Sequence, residues 1–70
     1  MNTEEFLRTS YDPVLIGFYK MGIENCIEEI DISTHNFERK IKEIKKKYPN
    51  SFVDGFWTDE GRIIAHATVD

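Results

Sequence analysis

Asp54 and His66 are the two side chains in this sequence best suited to act together as an acid and a base. Both lie in the stretch FVDGFWTDEGRIIAHATVD, which reads as two strands joined by a tight turn. A turn at Asp59-Glu60-Gly61, of type I with a third residue that needs φ > 0, places Asp54 opposite His66. A carboxylate beside an imidazole fixes the orientation and tautomer of the ring. Bond cleavage would further need a nucleophile or a held water, and donors for a developing oxyanion. Ser51 lies two or three residues away, Cys26 belongs to another strand, and no G-x-S-x-G elbow occurs. The pair therefore reads as a cross-strand contact. No catalytic residue is assigned, and the chain is not expected to be an enzyme.

Metal chemistry has less support still. His35, His66 and Cys26 are scattered, without C-x-x-C or H-x-x-x-H spacing. No metal or other cofactor is expected. A lone cysteine forms no disulfide within the chain, which points to a reducing compartment. The opening MNTEEFLRTSYD is acidic and lacks the apolar core of a signal peptide, and no apolar run reaches the ~20 residues of a membrane span. The expectation is a cytoplasmic protein with no membrane partner, in the host cytoplasm if phage-encoded.

With 70 residues, the chain is expected to form one domain, residues 1–70. Chains of this size bury only about 60% of their unfolded surface and leave little room for a deep cleft. Binding is thus favoured over catalysis. The net charge of −4 is uneven. Residues 36–47 carry Arg39, Lys40, Lys42, Lys45, Lys46 and Lys47 against Glu38 and Glu43 alone, and the remainder is strongly acidic. Arg39, Lys42 and Lys46 are the candidates for a nucleic-acid contact. An acidic domain is repelled by phosphates beyond a Debye length, so nucleic acid is not the expected partner.

The elements follow from periodicity. Thr3 with Glu4 and Glu5 marks a short helix, with Phe6, Leu7 and Tyr11 on its apolar side and Asp12-Pro13 as its stop. PVLIGFYK is apolar on both faces, as a central strand should be, and Gly22 turns the chain into CIEEIDIS. There Ile27 is out of phase with Ile30 and Ile32, which a bulge at Glu28-Glu29 would correct. Phe37, Ile41, Ile44 and Tyr48 form one helical stripe, capped by Ser33 or Thr34, with Glu38–Lys42 and Glu43–Lys47 as i,i+4 pairs. The final hairpin follows. The fold class is α+β: a short helix, then ββαββ, with one long helix on a four-stranded, mainly antiparallel sheet. With the two most apolar strands central, the arrangement resembles a β-grasp, in the order 2-1-4-3.

In the three-residue-loop register, Trp57–Ile63, Gly55–Ala65 and Val53–Ala67 face the long helix. Phe52, Phe56 and Ile64 lie on the opposite face with Asp54 and His66, close to Leu15 or Tyr19. Large apolar patches of this kind mark interfaces, unless the first helix folds over them. The expected partner-binding residues are Phe52, Asp54, Phe56, Arg62, Ile64 and His66, with a larger protein or a second copy as the occupant. The segment IDISTHNFERKIKEIKKKYPNSFVDGF, a strand entering a capped amphipathic helix and then a hairpin, resembles in general build the small proteins that phages and mobile elements use against host machinery, anti-CRISPRs and host-enzyme inhibitors among them. That resemblance implies an inhibitor that occludes a site on a larger host defence or nucleic-acid-processing protein. The alternative is a small regulatory module that contacts nucleic acid through residues 36–47.

Overall fold

The computed structural model describes residues 1–10 and 13–69; the expectations placed on Tyr11 and Asp12 lie outside the described residues. Helix α1 (Thr3–Thr9) is capped by Asn2, whose side-chain oxygen accepts from the N–H groups of Glu4 at 2.8 Å and Glu5 at 3.3 Å. This corrects the cap expected at Thr3. Thr3 is buried instead, and its hydroxyl shares a 2.9 Å hydrogen bond with Ser51. Strands β1 (Val14–Lys20) and β2 (Cys26–Ile32) come next. They are followed by helix α2 (Phe37–Lys47) and the hairpin of β3 (Phe52–Asp59) and β4 (Arg62–Val69). The sheet order is β2-β1-β4-β3, with β1 and β4 parallel and the other pairs antiparallel, as expected from the apolar character of β1 and β4.

Strand pairing sorts the side chains into two faces. One face carries the cross-strand rows Ile32–Val14–Ile63–Thr58, Ile30–Ile16–Ala65–Phe56 and Glu28–Phe18–Ala67–Val53. Ile41 and Ile44 of α2 and Phe6 and Leu7 of α1 pack on this face and complete the core, with Phe37 and Tyr48 partly buried at its margin. The small Ala65 and Ala67 leave room for helical side chains there. The two helices are also tied to each other: Arg8 contacts Glu38 at 3.0 Å and Lys45 contacts Glu4 at 3.5 Å. Glu38 thus pairs with α1 and not with Lys42 as its spacing predicts, whereas Glu43 does meet Lys47, at 3.4 Å.

Three local readings shift by a residue or more. The β2 irregularity falls at Ile27, because Phe18 pairs with Glu28 while Tyr19 pairs with Cys26. The caps expected at Ser33 or Thr34 are replaced by a turn ahead of α2. Asn36 holds it, accepting from Ser33 N–H at 2.8 Å and donating to the Asp31 carbonyl at 3.1 Å. The third shift is in the last hairpin. Asp59 pairs with Arg62, so the loop is the two residues Glu60 and Gly61, with φ of 50° and 79°. Positive φ at both loop residues is the mark of a type I′ turn, whose twist matches that of the strands. A second irregularity lies between Val53 and Gly55 and leaves Asp54 without a ladder partner. The one-residue shift from the shorter loop is cancelled there, so Val53 meets Ala67 as predicted while every position between is reassigned. Since side chains alternate along a strand, Phe56 moves to the helix-bearing face and Trp57 to the other.

Two substitutions test this frame. Glu60 holds a left-handed conformation that asparagine adopts more readily, so Glu60→Asn is expected to stabilise the domain by roughly 0.5–1 kcal/mol in denaturant melts. In a three-residue loop the same change would be neutral. Ile41→Ala, at a buried point of the α2 stripe, is expected to cost about 2–5 kcal/mol in the same assay.

Candidate functional site: the helix-free face of the sheet

Both helices lie on one side, so the other side of the sheet has no covering element among the described residues. Its cross-strand rows are Asp31–Leu15–Ile64–Trp57, Glu29–Gly17–His66–Gly55 and Cys26–Tyr19–Thr68–Phe52, with Arg62 beside Asp59 at the hairpin end. Trp57 is 56% exposed and Phe52 37%. Leu15, Tyr19, Ile64 and His66 are half-buried, and the turn that leaves β1 adds the exposed Met21 and Ile23 nearby. That turn, with Tyr19, Phe52, His66 and Thr68, borders an open hollow of about 630 Å³.

Asp54 organises the middle of this face. As the unpaired residue of the β3 irregularity, it turns its carboxylate onto the sheet. One oxygen bonds His66 Nδ1 at 2.6 Å, and the other accepts from Thr68 Oγ1 at 2.7 Å. His66 and Thr68 are two apart on β4 and so point the same way, which lets one carboxylate bridge both. An ionised carboxylate only accepts, so Nδ1 carries the hydrogen. Burial pushes the Asp54 carboxyl up, but the hydrogen bonds from His66 and Thr68 outweigh it and hold it below its ordinary 3.8.

Tyr19 stacks on the His66 ring with centroids 4.0 Å apart. Gly17, two residues before Tyr19 on β1 and directly opposite His66 on β4, is what allows this. A Cβ at Gly17 would stand 3.1 Å from Tyr19 Cε1 and 3.4 Å from Cys26 Sγ. Hydrogen bonding with Cys26, and then burial, raise the Tyr19 pKa above its ordinary 10.0. The result is a layer of Cys26, Tyr19, His66 and Asp54 lying across the sheet. Its Asp–His pair is flanked by the Thr68 hydroxyl, which donates to the same Asp54 carboxylate, while Ser51 is buried against Thr3 and Tyr48. Cys26 Sγ donates to the Glu28 carbonyl at 3.3 Å. Among the described residues, no group of three or more His, Cys, Asp or Glu side chains could hold a metal ion.

Of the six predicted contact residues, Phe52, Asp54, Arg62, Ile64 and His66 share this face. Phe56 does not. It pairs with Ala65 and meets Phe6 of α1 with ring centroids 5.2 Å apart, while remaining 60% exposed at the edge of the core. The register shift described above is the reason. The same shift brings in Trp57, which sequence reasoning assigned to the core. The sequence signal that could have found it is the loop length: a two-residue Glu60-Gly61 turn puts Trp57 opposite Ile64 and Phe56 opposite Ala65.

The basic helix presents a separate surface. Lys40 is paired with Glu43, Lys45 with Glu4, and Lys47 with Glu28 and Glu43. Arg39, Lys42 and Lys46 are exposed at i, i+3 and i+7, and have no ion pair among the described residues. Among the described residues, no helix is long and apolar enough to cross a membrane. No known family, curated protein or solved structure matches the chain.

The Asp54 bridge sets a pH dependence. Its folded pKa lies below the unfolded value, so its stabilisation is whole above pH 3.8 and fades as the pH falls through the folded value. Asp54→Asn should lower the melting temperature at pH 7, and the gap to wild type should close as melts are carried towards pH 2.5. A gap of equal size at both ends would show that the charge contributes nothing.

Proposed function

We propose that this protein is a small binding domain that acts by covering a surface on a larger protein, with the helix-free sheet face as its contact surface. The observation that supports this reading is Trp57, exposed in one row with Leu15 and Ile64 on the sheet face opposite both helices. Binding energy in interfaces concentrates on a few aromatic and arginine anchors set among weaker contacts. Trp57, Tyr19, Phe52 and Arg62 are such anchors on this face. The half-buried Leu15 and Ile64 supply apolar contact between them. In small inhibitors of the kind the sequence resembles, occlusion needs no chemistry, only a rigid face, and the sheet with its Asp54 bridge provides one. The class of target, a host defence or nucleic-acid-processing protein, rests on that general build.

A second reading has one specific support, the line of cations Arg39, Lys42 and Lys46 on α2, which have no ion pair among the described residues. It would make the domain a nucleic-acid-associated module, with affinity that falls steeply with salt. At physiological salt, gel shifts with duplex DNA and single-stranded RNA are expected to show no sub-micromolar complex. A complex that weakens on Lys42→Glu with Lys46→Glu would promote this reading.

The leading proposal is tested with bait proteins in lysate of the source cells, followed by affinity measurement on the captured partner. Trp57→Ala is expected to weaken binding by ~2 kcal/mol or more while leaving the melting temperature within a few degrees. Phe56→Ala, on the other face, should retain the partner and lose some stability with the Phe6 contact. Loss of binding on Phe56→Ala with retention on Trp57→Ala would move the interface to the α1 edge.

A further inference from the structure

The helix-free face carries a charge pattern as well as an apolar one. Its carboxylates stand on the two edge strands: Glu29 and Asp31 on β2, Asp54 and Asp59 on β3. Leu15, Tyr19, Ile64 and His66 occupy the central strands between them. Arg62 is the one guanidinium among the described residues of this face, and it sits beside Asp59. Glu29 and Asp31 have no ion pair among the described residues, whereas Asp54 is already held by His66 and Thr68. The field over the face is therefore negative, strongest along β2.

Three strand spacings of ~4.8 Å set the acidic edges about 14 Å apart. An α-helix with its side chains is ~10–12 Å across. We infer that the face receives a cationic amphipathic helix of a partner protein, laid along β1 and β4. The apolar side of that helix rests on Leu15, Ile64 and the stacked Tyr19–His66 pair, with Trp57 closing over one flank. Its lysine or arginine flanks reach Glu29 and Asp31 on one side and Asp59 on the other. This rests on the reading of the face as a protein-binding surface and gives the occupant a chemistry.

The charge pattern argues against the other occupants. Two copies joined face to face would set the carboxylates of both sheets together, with Arg62 and, at the rim of the hollow, Lys20 to answer them. The α2 helix of a second copy offers Arg39, Lys42 and Lys46, but its apolar stripe is buried in its own core. It would match the rim and leave Leu15 and Ile64 without apolar cover. An extended strand added to the free edge of β2 would meet Glu29 and Asp31 but leave the centre of the sheet open.

Trp57 is the single tryptophan of the chain, so its emission reports cover of this face directly. The probe is a synthetic amphipathic helix of leucine and lysine, about 18 residues and so ~27 Å long, without aromatic residues. A leucine and glutamate peptide of the same length is the counterpart. The expected result is a saturable blue shift of Trp57 emission with the lysine peptide and none with the glutamate peptide. Asp31→Lys should weaken the lysine peptide by about fivefold or more at low salt, because it reverses a charge beside the bound helix. Glu5→Lys, the same change in net charge on the far side of the domain, should stay within about twofold of wild type.

An equal response to both peptides would overturn the inference and leave the protein-binding reading standing, since the face would then take apolar helices without regard to charge. An equal effect of Asp31→Lys and Glu5→Lys would overturn it too, showing attraction to the whole domain only. Absence of any shift, while Trp57→Ala still releases the partner captured from lysate, would overturn the helical occupant alone. If the bait experiment fails as well, the protein-binding reading falls with it. Sedimentation showing a dimer without peptide, dispersed by Trp57→Ala, would assign the face to a second copy instead.

Discussion

The bridge that Asp54 makes to His66 and Thr68 is the contact on which the character of this sheet depends. A strand irregularity inserts one unpaired residue and inverts the faces of everything beyond it. Here the residue inserted is an aspartate, and it replaces the missing ladder contact with two side-chain hydrogen bonds of 2.6 and 2.7 Å to the neighbouring strand. Beyond it, Phe56 is turned to α1 and Trp57 to the open face. Without the extra residue, the two-residue loop would place Val53 out of register with Ala67 and break the core row they share with Phe18. The irregularity therefore reconciles a tight hairpin with a continuous core, and the exposed tryptophan is the by-product on the other side.

Gly17 has a matching part on the central strand. It leaves the space through which the Tyr19 ring lies against His66, so the imidazole is fixed by a carboxylate at one atom and by an aromatic plane on its face. Stacking and hydrogen bonding together stiffen a region that a two-layer domain of this size would otherwise leave loose. A rigid face loses little conformational freedom when it is covered, which is how a small surface can bind well. The opposite layer shows the same economy of parts. Thr3, Ser51 and the Tyr48 carbonyl form one chain of hydrogen bonds that fastens α1 to the end of α2, so the short helix does not depend on its own length for stability.

Much of this was legible in the sequence, for identifiable reasons. The α2 stripe of Phe37, Ile41, Ile44 and Tyr48 and the two-sided apolar pattern of β1 are long signals, and they fixed the element order and the strand order. The differences were of one to three residues, at the two helix caps, at the last hairpin turn and at the irregularities within β2 and β3. Asn2 rather than Thr3 caps α1 because Thr3 has a buried partner far along the chain, which no local pattern contains. Glu60 adopts a left-handed conformation that its residue type disfavours, so the loop was read one residue too long. Because a strand has a period of two, that single residue sufficed to exchange Phe56 for Trp57 in the candidate site. The positions of Phe52, Asp54, Ile64 and His66 survived because they lie on or before the compensating irregularity, or on β4.

The sheet order has a consequence for the route by which the chain becomes structured. Strand β4 is central, hydrogen-bonded to β1 on one side and β3 on the other, yet it follows every other element in the sequence. Until it is synthesised, the β1–β2 hairpin and β3 have no strand between them, and α2 has only part of a surface to pack on. Pairing β1 with β4 closes a loop of most of the chain, the kind of contact that forms late and slowly. A nascent chain ending at the hairpin turn would expose Phe18, Ile16 and the α2 stripe together. Native order is thus an all-or-none event gated by the emergence of residues 62–69 from the ribosome, and a stalled or truncated product would be a substrate for chaperones and proteases, with no half-active form between.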